Sequence, residues 1–378
     1  MSRHGRVVVA MSGGVDSAVA AALLHEQGWE VVGLTMKLHD HAATGDAGAP
    51  GTARGCCDLT AYRDAGRVCA RLGVAHAVVD LVDEFRREVM DVFAAEYFAG
   101  RTPNPCVLCN TRLKWEHLWQ RAEALEAVAV ATGHYARLEE APEGGPALSR
   151  ALRPEKDQSY ALWGLPRGRL ARTRFPLGGL AKEETRRLAA GLGLGVADKP
   201  ESQDICFVPD GDYARFLARH DPERAAREEG GELVAPDGRV LGRHGGVSRF
   251  TVGQRRGLGV ALPGGRPVYV KALDAASGRV QLGWDEELFQ DLLWADGVNW
   301  LVDAPAGPLG CAAAIRYRDP GSPAEVRPLA EGGVRVEFAQ PRRAIAPGQA
   351  VVFYQDQRVL GGGWIRRAGR REEDVHVG

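Results

Sequence analysis

The sequence contains no apolar run long enough to cross a bilayer, and a formal net charge of −1 over 378 residues gives no bulk attraction to nucleic acid or membrane. Any nucleic-acid binding must therefore come from local basic patches. Lysine is scarce: six of the 48 basic residues are lysine and the rest are arginine. Arginine suits bidentate phosphate contacts, although genome composition explains the same bias. Arg3 and Arg6 precede an apolar stretch that is too short for a signal peptide, so the chain is expected in the cytoplasm with no membrane partner. In that compartment seven cysteines argue against a disulfide framework and for free, metal-bound or catalytic thiols. No clear internal repeat is present. The length suits two or three domains, and 45% hydrophobic with 26% charged residues is ordinary for a globular chain.

What is present is most informative near the N-terminus. Val7 to Met11 is an apolar run leading into Ser12-Gly13-Gly14-Val15-Asp16-Ser17 and then an alanine-rich stretch ending at Leu24, which reads as buried strand, turn and helix. Adjacent glycines let backbone N–H groups converge on phosphate oxygens, and the following helix points its positive end at them. The turn lacks the Gly-Lys-[Ser/Thr] ending whose lysine reaches the β- and γ-phosphates, so γ-phosphoryl transfer is not indicated. Asp16 is the expected magnesium ligand.

Glu30–Met36 and Ala75–Asp80 read as further strands, with helices over Asp58–Leu72, Phe85–Phe98 and Thr111–Leu125 and a strand over Ala127–His134. This alternation predicts an open parallel α/β sheet whose ligand lies beyond the C-terminal strand ends, where Ser12, Met36 and Gly133 emerge. After about Asp204, glycine, proline and short alternating runs predict two small β-rich domains. The expected boundaries are 1–208, 209–286 and 287–367, with a charged, frayed tail beginning near Arg366 and spanning 368–378.

Asn104-Pro105-Cys106-Val107-Leu108-Cys109 places a Cys-x-x-Cys in a proline-stiffened loop entering a helix, where the dipole favours thiolate. Cys206 lies where the α/β portion gives way to β structure. Structural zinc is the competing use of such a pair, though its usual second pair is missing. Three thiols with an open position would suit an iron–sulfur cluster better. His39-Asp40-His41 reads as a solvated loop, and Cys56, Cys57, Cys69 and Cys311 as packing or incidental thiols. Trp115 and Trp119, at helical spacing, read as core or cover residues.

Over nearly its whole length the chain resembles the bacterial tRNA-specific 2-thiouridylases. The resemblance is carried in order by Ser12 to Ser17, Thr102-Pro103-Asn104-Pro105, Leu108-Cys109-Asn110, Ala131-Thr132-Gly133-His134-Tyr135 and Lys156-Asp157-Gln158-Ser159-Tyr160. It continues through Ile205-Cys206-Phe207, Thr251-Val252-Gly253-Gln254-Arg255, Arg316-Tyr317-Arg318 and Ala346-Pro347-Gly348-Gln349. It implies an adenine-nucleotide hydrolase-like domain of the ATP pyrophosphatase type, then two β domains, the last a barrel that contacts tRNA. The implied reaction uses ATP and Mg²⁺ to adenylate the C2 oxygen of wobble uridine U34 and replace it with sulfur, releasing AMP and pyrophosphate. By the same resemblance Cys109 and Cys206 are catalytic. A persulfide-donating sulfur-carrier protein loads Cys206, and Cys109 resolves the persulfide as a disulfide. Ala10, Met11, Ser12, Gly13, Gly14, Val15, Asp16, Ser17, Met36 and Gly133 are the nucleotide-contact candidates. Asn104, Pro105, Cys106, His134, Lys156, Asp157, Gln158, Arg316, Tyr317 and Gln349 are the substrate-contact candidates, with Arg255-Arg256, Arg342-Arg343 and Arg366-Arg367 extending a phosphate track. One branch of the family carries aspartate where this chain has Cys106. A [4Fe–4S] cluster on Cys106, Cys109 and Cys206 is therefore the rival chemistry. An ATP pyrophosphatase acting on a small-molecule acceptor and an RNA-binding iron–sulfur sensor are the rival functions.

Overall fold

The computed structural model describes residues 3–39, 59–200, 205–228, 230–260 and 265–371. Asp40, His41, Cys56, Cys57 and the Glu201–Asp204 part of the motif before Cys206 lie outside the described residues. The chain divides into two compact units, one of residues 1–89, 106–211 and 357–359, the other of 90–105, 212–356 and 360–378. No helix among the described residues is long and apolar enough to cross a membrane.

The first unit is built on a parallel sheet of β1 (Arg6–Ala10), β2 (Glu30–Lys37), β3 (Ala75–Asp80), β4 (Ala129–Ala131) and β7 (Thr173–Arg174), in the order β3-β2-β1-β4-β7. Val7, Val8 and Val9 are fully buried, as a strand covered on both faces requires. Helix α1 (Val15–Glu26) has no polar face over Ala18–Ala22, and those small side chains bring it close to the sheet within one core. Helix α2 (Leu59–Leu72) packs on the same core through Ala65, Val68 and Cys69. Strand order reverses at β1, where β2 pairs on one side and β4 on the other, so a crevice opens between their C-terminal ends. An antiparallel hairpin, β5 (Ala136–Glu140) and β6 (Pro146–Arg150), follows β4. Its polar residues Arg137, Glu139 and Glu140 hide it from an apolar-pattern reading.

The second unit holds two β structures. One is a four-stranded sheet of β8 (Gly231–Val234), β9 (Val240–His244), β10 (Tyr269–Asp274) and β11 (Arg279–Gly283) around Leu233, Val270, Val280 and Leu282. The other is a six-stranded barrel of β12 (Phe289–Trp300), β13 (Leu309–Ala314), β14 (Ser322–Pro328), β15 (Val334–Arg343), β16 (Ala350–Gln355) and β17 (Arg358–Gly369), closed by pairing of β12 with β17. Closure leaves no unpaired edge. The frayed tail expected from Arg366 is instead ordered through Gly369. Arg366 bonds Asp296 at 2.8 Å, Arg367 stacks 3.3 Å above the Trp294 ring, and Arg371 meets Asp291 and Glu337. The expected phosphate track is largely spent the same way: Arg342 bonds the buried Asp319, and Arg343 bonds Asp285 while covering Tyr269.

Candidate active site

The turn after β1 is braced by its own serines. Ser17 Oγ accepts the Ser12 N–H at 3.1 Å and donates to the Gly14 carbonyl at 3.1 Å, while the two serine hydroxyl oxygens lie 3.2 Å apart. Gly14 caps α1 without a side-chain hydrogen bond, which leaves the positive end of the helix to an anion. Gly13 has φ +69°, and a Cβ there would meet the Ala61 carbonyl oxygen at 2.2 Å; this residue seats the turn on α2. Gly133 plays the matching part from β4, where a Cβ would lie 2.7 Å from Ser17 N.

Above this junction lies a cavity of about 230 Å³. Ala10, Met11, Ser12, Asp16 and Ser17 form one side, and Leu34, Met36 and Leu38 come from the end of β2. Thr132, Gly133 and His134 follow β4, and Asn110, Lys114, Trp115 and Leu118 come from the cysteine-bearing helix. Gln158 completes the lining, its Oε1 accepting the Tyr135 N–H at 2.9 Å. Trp115 is thus both core and cavity wall. The side chain of Val15, the first residue of α1, packs into the core, which leaves its backbone N–H at the turn.

Asp16 is not an open carboxylate. Lys182 Nζ donates to both its oxygens at 2.7 and 2.8 Å, and Tyr135 OH donates to Oδ1 at 2.8 Å. Lys182 is 6% exposed and sits in the first turn of the helix Lys182–Gly191, where the dipole disfavours a cation. Its partner, not its helix, accounts for its place. Lys199 reaches the turn from another direction, donating to the Gly13 carbonyl at 3.0 Å and to Asp64 at 2.8 Å. Sequence reasoning missed Lys114, Lys182 and Lys199. The available signal was composition: three of only six lysines in an arginine-rich chain lie here, Lys182 and Lys199 at the turn and Lys114 on the cavity wall.

His134 Nδ1 lies 2.8 Å from Thr132 Oγ1, with the rings of Trp115 and Phe175 each 6.5 Å away. Burial and the neighbouring Lys114 cation lower its pKa to about 3, so the imidazole is neutral at neutral pH.

The cysteine segment departs from a loop entering a helix. Helical structure begins at Pro105, puts Cys106 in the first turn and widens into a π-type turn over Cys109–Lys114. The Thr111 hydroxyl donates to the Val107 carbonyl at 2.8 Å, an insertion of the kind that loosens a helical ladder. Cys106 is exposed, Cys109 is buried and Cys206 is half-buried. Phe207, next to Cys206, meets Phe85 edge-on with centroids 5.7 Å apart. Phe85 ends helix α3 (Val82–Phe85), which also packs on the Cys109–Lys114 turn. The two cysteine-bearing stretches therefore share a packing neighbour. Among the described residues no three His, Cys, Asp or Glu side chains are arranged to hold a metal ion. Burial raises the Cys69 thiol to about 11 and the Cys311 thiol to about 12, which makes both inert.

Other sequence candidates fall elsewhere. Asp157, expected at an RNA backbone, uses its carboxylate to accept from Ala151 N, Ser159 N and Ser159 Oγ, bracing its own loop. Lys156 is half-buried beside it. In the second unit, Gln349 Nε2 donates to the Thr102 carbonyl at 2.7 Å instead of pointing outward. Asn104 and Pro105 continue that tethered segment. Arg316 and Tyr317 are exposed, with the Arg318 guanidinium 5.6 Å from the Tyr317 ring centre. This unit also holds a larger cavity of about 710 Å³ among Phe98, Arg224, Arg227, Glu228 and Ser277.

Sequence comparisons match residues 5–210 to a family described as tRNA methyl transferase HUP domain. Residues 215–283 match its PRC-barrel domain and 290–365 an aminomethyltransferase β-barrel domain. The tRNA-specific 2-thiouridylase MnmA of Salinibacter ruber is 48% identical over 99% of this chain and 98% of its own. The protein of that name from Heliobacterium modesticaldum is 50% identical over 96% of this chain and 92% of its own. A solved 4-thiouridine synthetase–RNA complex with bound ATP aligns at 18% identity over 58% of this chain and 51% of that one, with a TM-score of 0.36, too distant to carry argument.

Proposed function

The chain belongs to the tRNA-specific 2-thiouridylase family, and from that premise we propose that it replaces the C2 oxygen of wobble uridine U34 with sulfur at the expense of ATP. The observation that carries this reading is the cavity at the β1–β4 crevice, which joins an anion-binding turn to the helix that bears Cys109. A uridine carbonyl oxygen is a poor leaving group. Attack of that oxygen on the α-phosphorus of ATP forms the C2–O–AMP ester and expels pyrophosphate into the cradle of Ser12, Ser17 and the uncapped α1. Lys182 and Lys199 supply positive charge at the same turn. Asp16 would hold the magnesium ion that accompanies ATP, in exchange for Lys182, and that ion would supply charge neutralisation for the departing pyrophosphate.

Sulfur arrives as a persulfide on Cys206, donated by a sulfur-carrier protein. Its outer sulfur attacks C2 and AMP leaves. The Cys109 thiolate then attacks the inner sulfur, releasing 2-thiouridine and leaving a Cys109–Cys206 disulfide that a dithiol must reduce. Neutral His134 and Gln158 hold the cavity between the two chemistries, and exposed Arg316 and Tyr317 serve as RNA contacts in the barrel. The match of Cys109 and Cys206 to the family's reactive pair favours this thiol route over a cluster, and cytoplasmic tRNA is the substrate.

The test is single-turnover thiolation of a U34 tRNA with ATP and a persulfide donor, following 2-thiouridine, AMP and pyrophosphate. Cys109→Ser and Cys206→Ser are each expected to abolish 2-thiouridine while ATP still binds. Normal product from either variant refutes the thiol route. Pyrophosphate release to a small acceptor without tRNA would instead establish the small-molecule pyrophosphatase.

A further inference from the structure

Asn110 is 4% exposed and lines the cavity. Its Nδ2 donates to the Ala161 carbonyl at 3.4 Å, which orients the amide, and among the described residues its buried Oδ1 has no hydrogen-bond partner. Burying such an acceptor unmet is costly, and one that lines a cavity is placed where a ligand can meet it.

We propose that Asn110 Oδ1 accepts the N3–H of the target uracil and so selects uridine over cytidine at the wobble position. The inference rests on the thiolation reading and deepens it. Two observations favour the target base over the adenine of ATP. Asn110 directly follows Cys109, and Lys114, one helical turn further, lines the same cavity, so this wall is polar, cationic and next to the sulfur chemistry. Leu34, Met36 and Leu38 supply an apolar wall at the end of β2, the surface a purine face requires. Uracil presents a proton at N3. Cytosine presents a lone pair there, which would face the amide oxygen and leave it unpaired.

The test compares AMP formation on tRNA carrying uridine or cytidine at position 34. The wild-type enzyme is expected to favour uridine by about tenfold or more in kcat/KM, the scale of one well-formed base contact. Asn110→Leu should bring the ratio within about twofold with the KM for ATP unchanged, and Asn110→Asp, which keeps an acceptor, should retain the preference. A ratio unaltered by Asn110→Leu overturns the proposal. So does a raised KM for ATP with lost discrimination against GTP, which would make Asn110 the adenine reader. Should Asn110→Leu fail to fold, the wild-type enzyme decides the matter with tRNA bearing 3-deazauridine, which lacks the N3–H at nearly the same size. This tRNA should compete with the U34 substrate about tenfold less well, and equal competition overturns the proposal. Absence of 2-thiouridine from the wild-type enzyme would instead sink the thiolation reading, and this inference with it.

Discussion

Two glycine-containing corners, one in each unit, look alike in sequence and do different work. Thr132-Gly133-His134 in the parallel-sheet unit opens into the cavity, with Gly133 set against the phosphate turn. Ala346-Pro347-Gly348-Gln349 in the barrel unit closes on the chain: Thr102 N donates to the Pro347 carbonyl at 2.8 Å and Gln349 returns the bond at 2.7 Å. Gly348, at φ +91°, stands where a Cβ would lie 2.9 Å from Thr102 N. A glycine beside a polar residue therefore marks a close backbone approach in both places. Whether that approach makes a ligand site depends on what the polar side chain has left to bond.

The largest expected effect tests that difference directly. Gly13→Ala and Gly133→Ala force a Cβ into backbone 2.2 to 2.7 Å away. Each should cost about 3 kcal/mol in stability and reduce ATP affinity more than tenfold by isothermal titration. Gly348→Ala should destabilise comparably in thermal melts while ATP affinity stays unchanged. Loss of ATP binding in Gly348→Ala would erase the distinction.

Next comes the pairing beneath the phosphate turn. Lys182→Met strands a partly buried Asp16 carboxylate and is expected to cost about 2 kcal/mol by denaturant melt, with weaker ATP binding. Adding Asp16→Asn should restore most of the stability and none of the binding. Full recovery of both would make the pair structural only.

His134 sets the pH dependence. Its pKa is lowered from an unfolded value near 6.5 to about 3, so the folded protein favours the neutral ring. Below pH 6.5 the unfolded chain takes up a proton that the folded chain refuses. This contribution is therefore complete above pH 6.5 and is lost as pH falls towards 3, by roughly 1 kcal/mol per unit. His134→Gln should flatten the melting-temperature profile between pH 6.5 and 5, and an unchanged profile would show that the ring is not shielded.

The smallest effect belongs to the barrel corner. Gln349→Ala removes one side-chain bond to Thr102 and should cost about 1 kcal/mol with ATP binding intact. A loss of tRNA affinity much larger than this would mean that Gln349 also meets the RNA.

Much of the architecture was legible in the chain. The valine run, the paired glycines and the alanine-rich helix specify a strand, an anion-binding turn and a buried helix by local conformational preference and apolar pattern alone, and the β-rich texture after Asp204 is as plain. The hairpin over Ala136–Arg150 was not, because its polar faces carry little alternation, and neither was the strand running past Arg366, whose arginines read as solvated until their acidic partners across the barrel are known.

The site divides along the same line. Which residue types surround a nucleotide follows from the turn chemistry, and that much the sequence determined. Tertiary structure alone decided that Lys182 reaches across 166 positions to Asp16, that Gln158 lines the cavity while its neighbour Asp157 braces a loop, and that Asn110 keeps an oxygen unmet among the described residues. The reason is physical: backbone geometry is set by neighbours in sequence, whereas a polar side chain is committed by whichever distant partner folding brings within hydrogen-bond range.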